Sequence, residues 1–491
     1  MSSRTFLAFD IGAESGRAIL GTLADGRCAL REIHRFPNGT VSLFGRLHWN
    51  VYTLYEEILK GLRLAAAACP AGLESIAVDT WGVDFGLLAP DGSVLGLPFA
   101  YRDLRNLRAM DDFLAKCPRE RVYEITGIQF LPFNSIFQLH ALALENPGLL
   151  AGAADLLFMP DLITYFLTGR KTTEATIAST SQLINPRTGT WSPELIAALG
   201  INPGLLHDPV PPATAIGSLL PALAKETGLP EIPVVATASH DTASAVAAVP
   251  ARGEDWAYIS SGTWSLMGLE IPSPLITART LQRNFTNEGG MEGRIRFLKN
   301  VTGLWLIQQC RKIWSSENPL SYDDMRDMAE AAPPFRAFID PDAVEFLNPP
   351  DMPAAIRDFC RQTGQAVPES PAEIVRCVLE SLALKYRAVL EDLRSVASGP
   401  IARIHVIGGG SRHAPLCRFT AGATGLPVVA GPVEATAFGN ILGQALALGF
   451  VRSLDEIRDV VAASTDLASY EPGAAAAWDA AYARFREVAP A

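Results

Sequence analysis

The sequence predicts a mixed α/β protein divided into two large lobes, and three observations carry that prediction. The chain has 491 residues, whereas single hydrophobic cores stop growing at roughly 250–300 residues. Apolar runs rich in β-branched and aromatic residues alternate with stretches at helical spacing. Three of those runs end in turns built from small residues, one near the N-terminus and two in the second half of the chain.

The elements follow in order. "TFLAFDIGA" and "GRAILGTLADGRCALREIHRF" read as antiparallel strands, with "ADGR" as a turn. "NVYTLYEEILKGLRLAAAAC" has the apolar spacing of a helix, and "LESIAVDTWGVDFGLLAPDGSVLGLPFAYRD" returns to strands broken by an Asp-Gly turn. Residues 104–205 read mostly as helix, and "EIPVVATASHDTASAVAAV" is a strand handing over to a helix. A second block opens at "EDWAYISSGTWSLMGLE" and repeats the first: Phe6 aligns with Trp256, Gly12 with Gly262 and Ser15 with Ser265. Towards the C-terminus come a strand, the turn "VIGGGSR", a helix, a short strand, and a helix beginning near Glu434. The expected division is 1–250, 251–455 and a helical segment, 456–491, that packs back on the lobes.

The totals exclude several classes. With 48% hydrophobic and 19% charged residues the composition is that of a compact soluble protein. A formal net charge of −11, with no basic stripe interleaved with aromatics, argues against nucleic acid. Asp10 interrupts the first apolar stretch too early for a signal peptide, and no run of about 18 apolar residues exists to span a membrane. The cytoplasm is the expected location, with neither membrane nor nucleic acid as partner. Seven scattered cysteines form no CxxC pair and suggest no metal site, and the sequence leaves open whether Cys360 and Cys377 meet.

Four short stretches can carry chemistry. In "FDIGAESGR" (9–17) the turn after Asp10 exposes backbone N–H groups of small residues to an anion, and Arg17 adds charge. Alone, it reads more readily as an ordinary tight hairpin with a turn aspartate. "ISSGTWSL" (259–266) surrounds Gly262 with hydroxyls, and "VIGGGSR" (406–412) offers bare backbone after a strand. Neither a Walker loop nor GxGxxG is present. "DTWGVDFGLL" (79–88) shows an exposed-looking Trp81-Gly82 pair between two aspartates, suited to sugar stacking or else a plain turn with Asp79 and Asp84 in solvent.

"SHDTASAV" (239–246) poses the sharpest question, because Asp241 sits where a strand meets a helix. Ser239, Asp241 and Thr242 can each cap that helix, so capping does not need Asp241 in particular. At a helix N-terminus its anionic form is favoured by the macrodipole.

Together with "GLPFAYRD", "GIQFLPFNS", "NEGG", "LKNVTGLW" and "GPVEATAFGN", these stretches resemble the FGGY family of carbohydrate kinases, in order from residue 9 to residue 440. The resemblance implies two actin-like (ribonuclease H-like) α/β lobes with ATP and sugar in the cleft between them. It implies transfer of the γ-phosphoryl of ATP to the C1 hydroxyl of L-rhamnulose, with Mg²⁺, and a monomer or homodimer is expected. Ala13, Glu14, Ser15, Gly16, Arg17, Thr263, Gln308 and Gly409 would contact ATP. Gly82, His240, Thr242 and Asn300 would contact the sugar, Asp241 would be the base, and Asp10 would hold Mg²⁺ through water. Glu14 departs from the expected small residue, since a carboxylate beside a triphosphate is unfavourable unless it points away. Competing expectations are another ketose kinase of the family, such as a fuculokinase or xylulokinase, an actin-like ATPase without kinase activity, or a sugar-sensing protein without catalysis.

Overall fold

Strands Arg4–Ile11 (β1), Ser15–Ala24 (β2) and Arg27–Pro37 (β3) form the antiparallel start of the chain in the computed structural model, which describes residues 3–315, 320–473 and 475–489. The chain then crosses through the helix Val51–Ala68, whose N-cap Asn50 accepts from the Thr53 amide. Strand Ile76–Thr80 (β4) lies parallel to β1, and strands Thr214–Ser218 (β5) and Pro233–Ala236 (β6) complete a six-stranded sheet of order β5-β6-β4-β1-β2-β3. β1, β4 and β6 are parallel and their residues are mostly buried, which is why they read as continuous apolar runs without alternation. The largely helical reading of 104–205 holds, with the short strand Asp155–Phe158 set among the helices and paired to Phe85–Leu88.

Strands Trp256–Ser261 (β7) and Trp264–Ile271 (β8) open the repeated block, followed by Arg403–Ile407 (β9), Val428–Ala430 (β10) and Ala468–Tyr470 (β11), ordered β8-β7-β9-β10-β11. The repeat is real at the level of architecture. β1 and β7 each pair with an antiparallel successor on one side and a parallel strand on the other. Residue alignment fails after the turn glycine, however. The first hairpin closes Ile11 against Gly16, and the second closes Ser261 against Ser265 one residue sooner. Gly12 therefore matches Gly262, while the partner of Ser265 is Gly16 and not Ser15.

Two compact units result, and they interleave along the chain instead of following linear boundaries. One comprises Met1–Pro250, Glu270–Phe297 and Ala435–Ser464; the other comprises Ala251–Leu269, Leu298–Glu434 and Thr465–Ala491. The C-terminal segment 456–491 is accordingly split. Helix Leu454–Ser464 belongs to the first unit, where Ser464 accepts from the Cys28 amide. Helix Ala475–Val488 belongs to the second, packing Trp478 and Phe485 among Phe338, Leu384 and Ala423. All seven cysteines, Cys360 and Cys377 included, are free thiols. Among the described residues no helix is long and apolar enough to cross a membrane.

In the first unit the helix Ala435–Ala447 packs on the helix Asp241–Ala247 through Gly439, where a Cβ would stand 1.8 Å from the carbonyl oxygen of Ser244. Backbone cannot yield as a side chain can. Gly439→Ala is expected to cost about 2–4 kcal/mol, read as a lower thermal midpoint. Gly148→Ala, on an exposed helix with nothing within 4 Å, is the control and is expected to leave the midpoint unchanged or raised.

Candidate active site

In the first unit the candidate residues gather where the parallel strands end, the usual place for ligands in such sheets. Asp10, one residue before the end of β1, stands in register with Asp79 of the parallel β4. The next residue of β4, Thr80, bridges to His240, its amide donating to the Ser239 carbonyl at 2.9 Å. Asp10, Asp79, His240 and Asp241 are thereby brought together by main-chain pairing.

The sequence reading left Asp79 and Asp84 as possible solvated turn residues; both are completely buried. Asp79 accepts from Asn440 at 2.6 Å through one oxygen, and its other oxygen is buried without a hydrogen-bond partner. Burial and the Asp10 charge push its carboxyl well above the ordinary range. Asp241 is pushed up to about 7, first by burial and then by Asp10, against the lowering effect of the Thr242 hydroxyl and amide. This corrects the macrodipole expectation: desolvation and like charge outweigh the helix end. The Asp241 side chain still keeps 29% of its surface accessible. The helix cap itself is His240, which makes no side-chain capping bond, while Asp241 accepts from the Thr242 amide.

Trp81 is another correction. It is buried, packed 4.2 Å from the ring of Trp49, and offers no open stacking face. Asp84 holds both indole N–H groups, at 2.6 Å from Trp49 and 2.9 Å from Trp81, and also accepts from Gln138 and the Tyr101 amide. Gly82 stays close to His240: a Cβ there would lie 3.3 Å from Nε2. Next to it, Val83 takes φ +67, a strained conformation for a β-branched residue, inside a tight turn closed by the Asp84 amide on the Gly82 carbonyl. Thr180 and Ser135 hold its amide and carbonyl. Strain of this kind persists only where surroundings over-determine it.

The first turn, 12–15, is tied from below. Asn38 donates its side chain to the Gly12 carbonyl at 2.8 Å and its amide to the Glu14 carbonyl at 3.0 Å. Ala13 and Ser15 are half-buried, and Glu14 is exposed and bears no bond that turns it inward. Gly16 is small for a packing reason, since a Cβ there would meet the Phe36 ring at 2.2 Å. The guanidinium of Arg17 is engaged with Asp10.

In the second unit Thr263 and Gln308 are brought together, Thr263 Oγ1 lying 3.2 Å from Gln308 Oε1. The turn carrying Thr263 receives the amides of Gly303, Leu304 and Trp305. The three glycines after β9 divide their work. Gly408 takes φ +81, Gly410 packs where a Cβ would stand 2.0 Å from Ser261 Oγ, and Gly409 is exposed with nothing within 4 Å. Only Gly409 has room for a ligand. Asn300 lies half-buried on the strand Ile295–Thr302 of this unit.

Several supporting residues escaped the sequence reading. Buried Glu174 accepts from the Thr176, Ile177 and Ser239 amides, and Thr176 accepts from the His240 amide, so this pair holds the backbone that presents Asp241. Nothing local marks "TTEATIAS" as special. Asn440 and Glu288 lie inside quoted motifs, yet their targets are hundreds of residues away or on another strand.

Residues 5–248 match the N-terminal domain and residues 257–448 the C-terminal domain of the FGGY family of carbohydrate kinases. A rhamnulokinase of Bacteroides thetaiotaomicron is 49% identical over 483 residues, 98% of this chain and 99% of that protein. A rhamnulokinase of Pectobacterium atrosepticum is 42% identical over 488 residues, 99% of this chain and 97% of that one. Among solved structures, a xylulose kinase and a gluconate kinase, both from Lactobacillus acidophilus, share the fold with TM-scores of 0.83 and 0.82. Their identities are only 16% and 17%, over 99% of this chain and 97% and 98% of theirs. The two units thus have the actin-like (ribonuclease H-like) α/β fold, and the chain belongs to the FGGY family of carbohydrate kinases.

Proposed function

We propose that the chain transfers the γ-phosphoryl group of ATP to the C1 hydroxyl of L-rhamnulose, yielding L-rhamnulose 1-phosphate and ADP in L-rhamnose catabolism. Similarity to rhamnulokinases over nearly the whole length supports the substrate. The observation that carries the chemistry is Asp241, an accessible carboxylate whose proton affinity its surroundings raise to about 7.

Phosphoryl transfer asks a protein for positioning and charge stabilisation more than for covalent chemistry. Asp241 orients the C1 hydroxyl and accepts its proton as the oxygen attacks phosphorus. His240, Thr242, Gly82 and Asn300 place the sugar. Ala13, Glu14, Ser15, Gly16 and Arg17 would contact the phosphates, chiefly through main-chain amides, while Thr263, Gln308 and Gly409 would contact ATP from the second unit's residues. Glu14, being exposed, adds little repulsion.

Asp10, in register with Asp79, which keeps one buried oxygen without a hydrogen-bond partner, is a fitting anchor for a hydrated cation. Among the described residues no group of three or more His, Cys, Asp or Glu could cage a metal. Mg²⁺ ordinarily keeps several waters and phosphate ligands, so it needs few ligands from the protein. When bound, it would supply charge neutralisation across the phosphates. The chain would act in the cytoplasm as a monomer or homodimer without a membrane partner, and its net charge of −11 gives no electrostatic basis for a nucleic-acid partner.

ADP release measured on a panel of ketoses tests the substrate. L-Rhamnulose should give the highest kcat/KM, and preference for L-fuculose or D-xylulose, or turnover independent of sugar, would overturn the assignment. At saturating ATP, kcat/KM for the sugar should fall about tenfold per pH unit below roughly 7, as Asp241 takes up its proton. Asp241→Asn should remove most turnover while nucleotide still binds. Because the folded carboxyl sits above its ordinary value, its ionisation costs stability that is regained as pH falls through about 7 toward 4. Asp241→Asn should therefore raise the thermal midpoint at pH 8 and match the parent near pH 4. Equal loss of stability and activity would make Asp241 a cap.

The glycines give a second contrast. Gly409→Ala should raise KM for ATP with the thermal midpoint unchanged, and Gly410→Ala, forced against Ser261, should lower the midpoint.

A further inference from the structure

Behind Asp241 lies a buried charge pair with no part in the chemistry described so far. Arg296, on the strand Ile295–Thr302, has a completely buried side chain. Its Nε donates to the Gly289 carbonyl at 2.8 Å, and one terminal nitrogen lies 3.0 Å from Glu288 Oε2 and 3.0 Å from His240 Nδ1. A guanidinium only donates hydrogen bonds. Nδ1 meets this donor at 3.0 Å and the Glu288 carboxylate only at 3.5 Å, so it presents its lone pair to the guanidinium, which leaves the single proton of a neutral ring on Nε2. Burial and the guanidinium charge both hold the ring well below its ordinary protonation range. Nε2 in turn lies 3.4 Å from Asp241 Oδ1 and borders Gly82.

We infer that Arg296, anchored by Glu288, is a positioning residue that fixes His240 in the Nε2–H tautomer, so that the imidazole donates toward Asp241 and the sugar. The same fixation removes His240 from acid–base work. Its one lone pair is occupied by Arg296 and its one proton is committed on the substrate side, so proton acceptance falls to Asp241. The charged groups facing the ring are Asp241 from its own helix and Glu288 and Arg296 from the two strands packed against it. The consequence for turnover rests on the kinase reading above; the tautomer does not.

Side-chain ¹⁵N NMR of the histidines tests it, with the His240 signal assigned by its loss in His240→Gln. The native protein should show His240 as the neutral Nε2–H form across roughly pH 5.5–8. In Arg296→Met the ring should begin to titrate in that range. KM for the ketose should rise about tenfold, the size expected from losing one well-placed hydrogen bond, with KM for ATP unmoved. Arg296→Lys, which keeps a donor facing Nδ1, should restore the tautomer and most of the sugar affinity. An Nδ1–H or imidazolium signal in the native protein overturns the inference, and that result stands even if Arg296→Met does not fold. A folded Arg296→Met with native tautomer and native KM overturns it as well. Since the resonance is read without substrate, a native Nε2–H signal in a protein that phosphorylates no ketose would count against the kinase reading and leave the tautomer assignment standing.

Discussion

The arrangement in the first unit depends on holding like charges together at the ends of parallel strands. Main-chain register sets Asp10 beside Asp79, and the Thr80–His240 bridge brings Asp241 to the same edge. Carboxylates crowded out of water cannot all ionise freely, so Asp79 and Asp241 are both pushed above the ordinary carboxylate range. The opposing forces are the buried amide of Asn440 and the guanidinium of Arg17. Asn440 is itself fixed by Gln444, which also bonds Ser75 and the Leu7 carbonyl. One helix face thus sustains a charge cluster that would otherwise repel itself apart.

Around that cluster, buried polar groups act on backbone and tautomer instead of on substrate. Glu174 and Thr176 hold the amides of Ser239 and His240, and Arg296 with Glu288 holds the far side of the imidazole. Asp84 does comparable work for the Trp49–Trp81 wall, and its own carboxyl is pushed up to about 6 by burial despite four donors. Polar groups in low dielectric bind strongly when satisfied and cost heavily when not. That asymmetry lets the protein keep Val83 at a positive φ that a valine in open chain would leave.

The second unit solves a different problem with less charge. Its hairpin and glycine turn offer backbone and hydroxyls, and adjacent glycines serve unlike ends: conformation at Gly408, packing at Gly410 and open space at Gly409. A run of three identical letters gives no hint of that division, since it arises only from where Ser261 lies against the turn.

The sequence by itself determined the α/β class, much of the succession of strands and helices along the chain, the repeated hairpin and the stretches on which candidate residues lie. Those features follow from local periodicity, turn chemistry and motif, which are properties of neighbouring residues. Only the tertiary structure decided that Asp79 and Asp84 are buried, that Trp81 is a wall and not a platform, and that Gly16 is small because of Phe36. It also decided the sign of the effect on Asp241, where burial and Asp10 overcame the helix end. The interleaving of the two units and the supporting roles of Glu174, Arg296 and Asn440 belong to the same class. Proton affinity, tautomer and strain depend on which groups meet across tens or hundreds of residues, and no local pattern in the chain encodes that meeting.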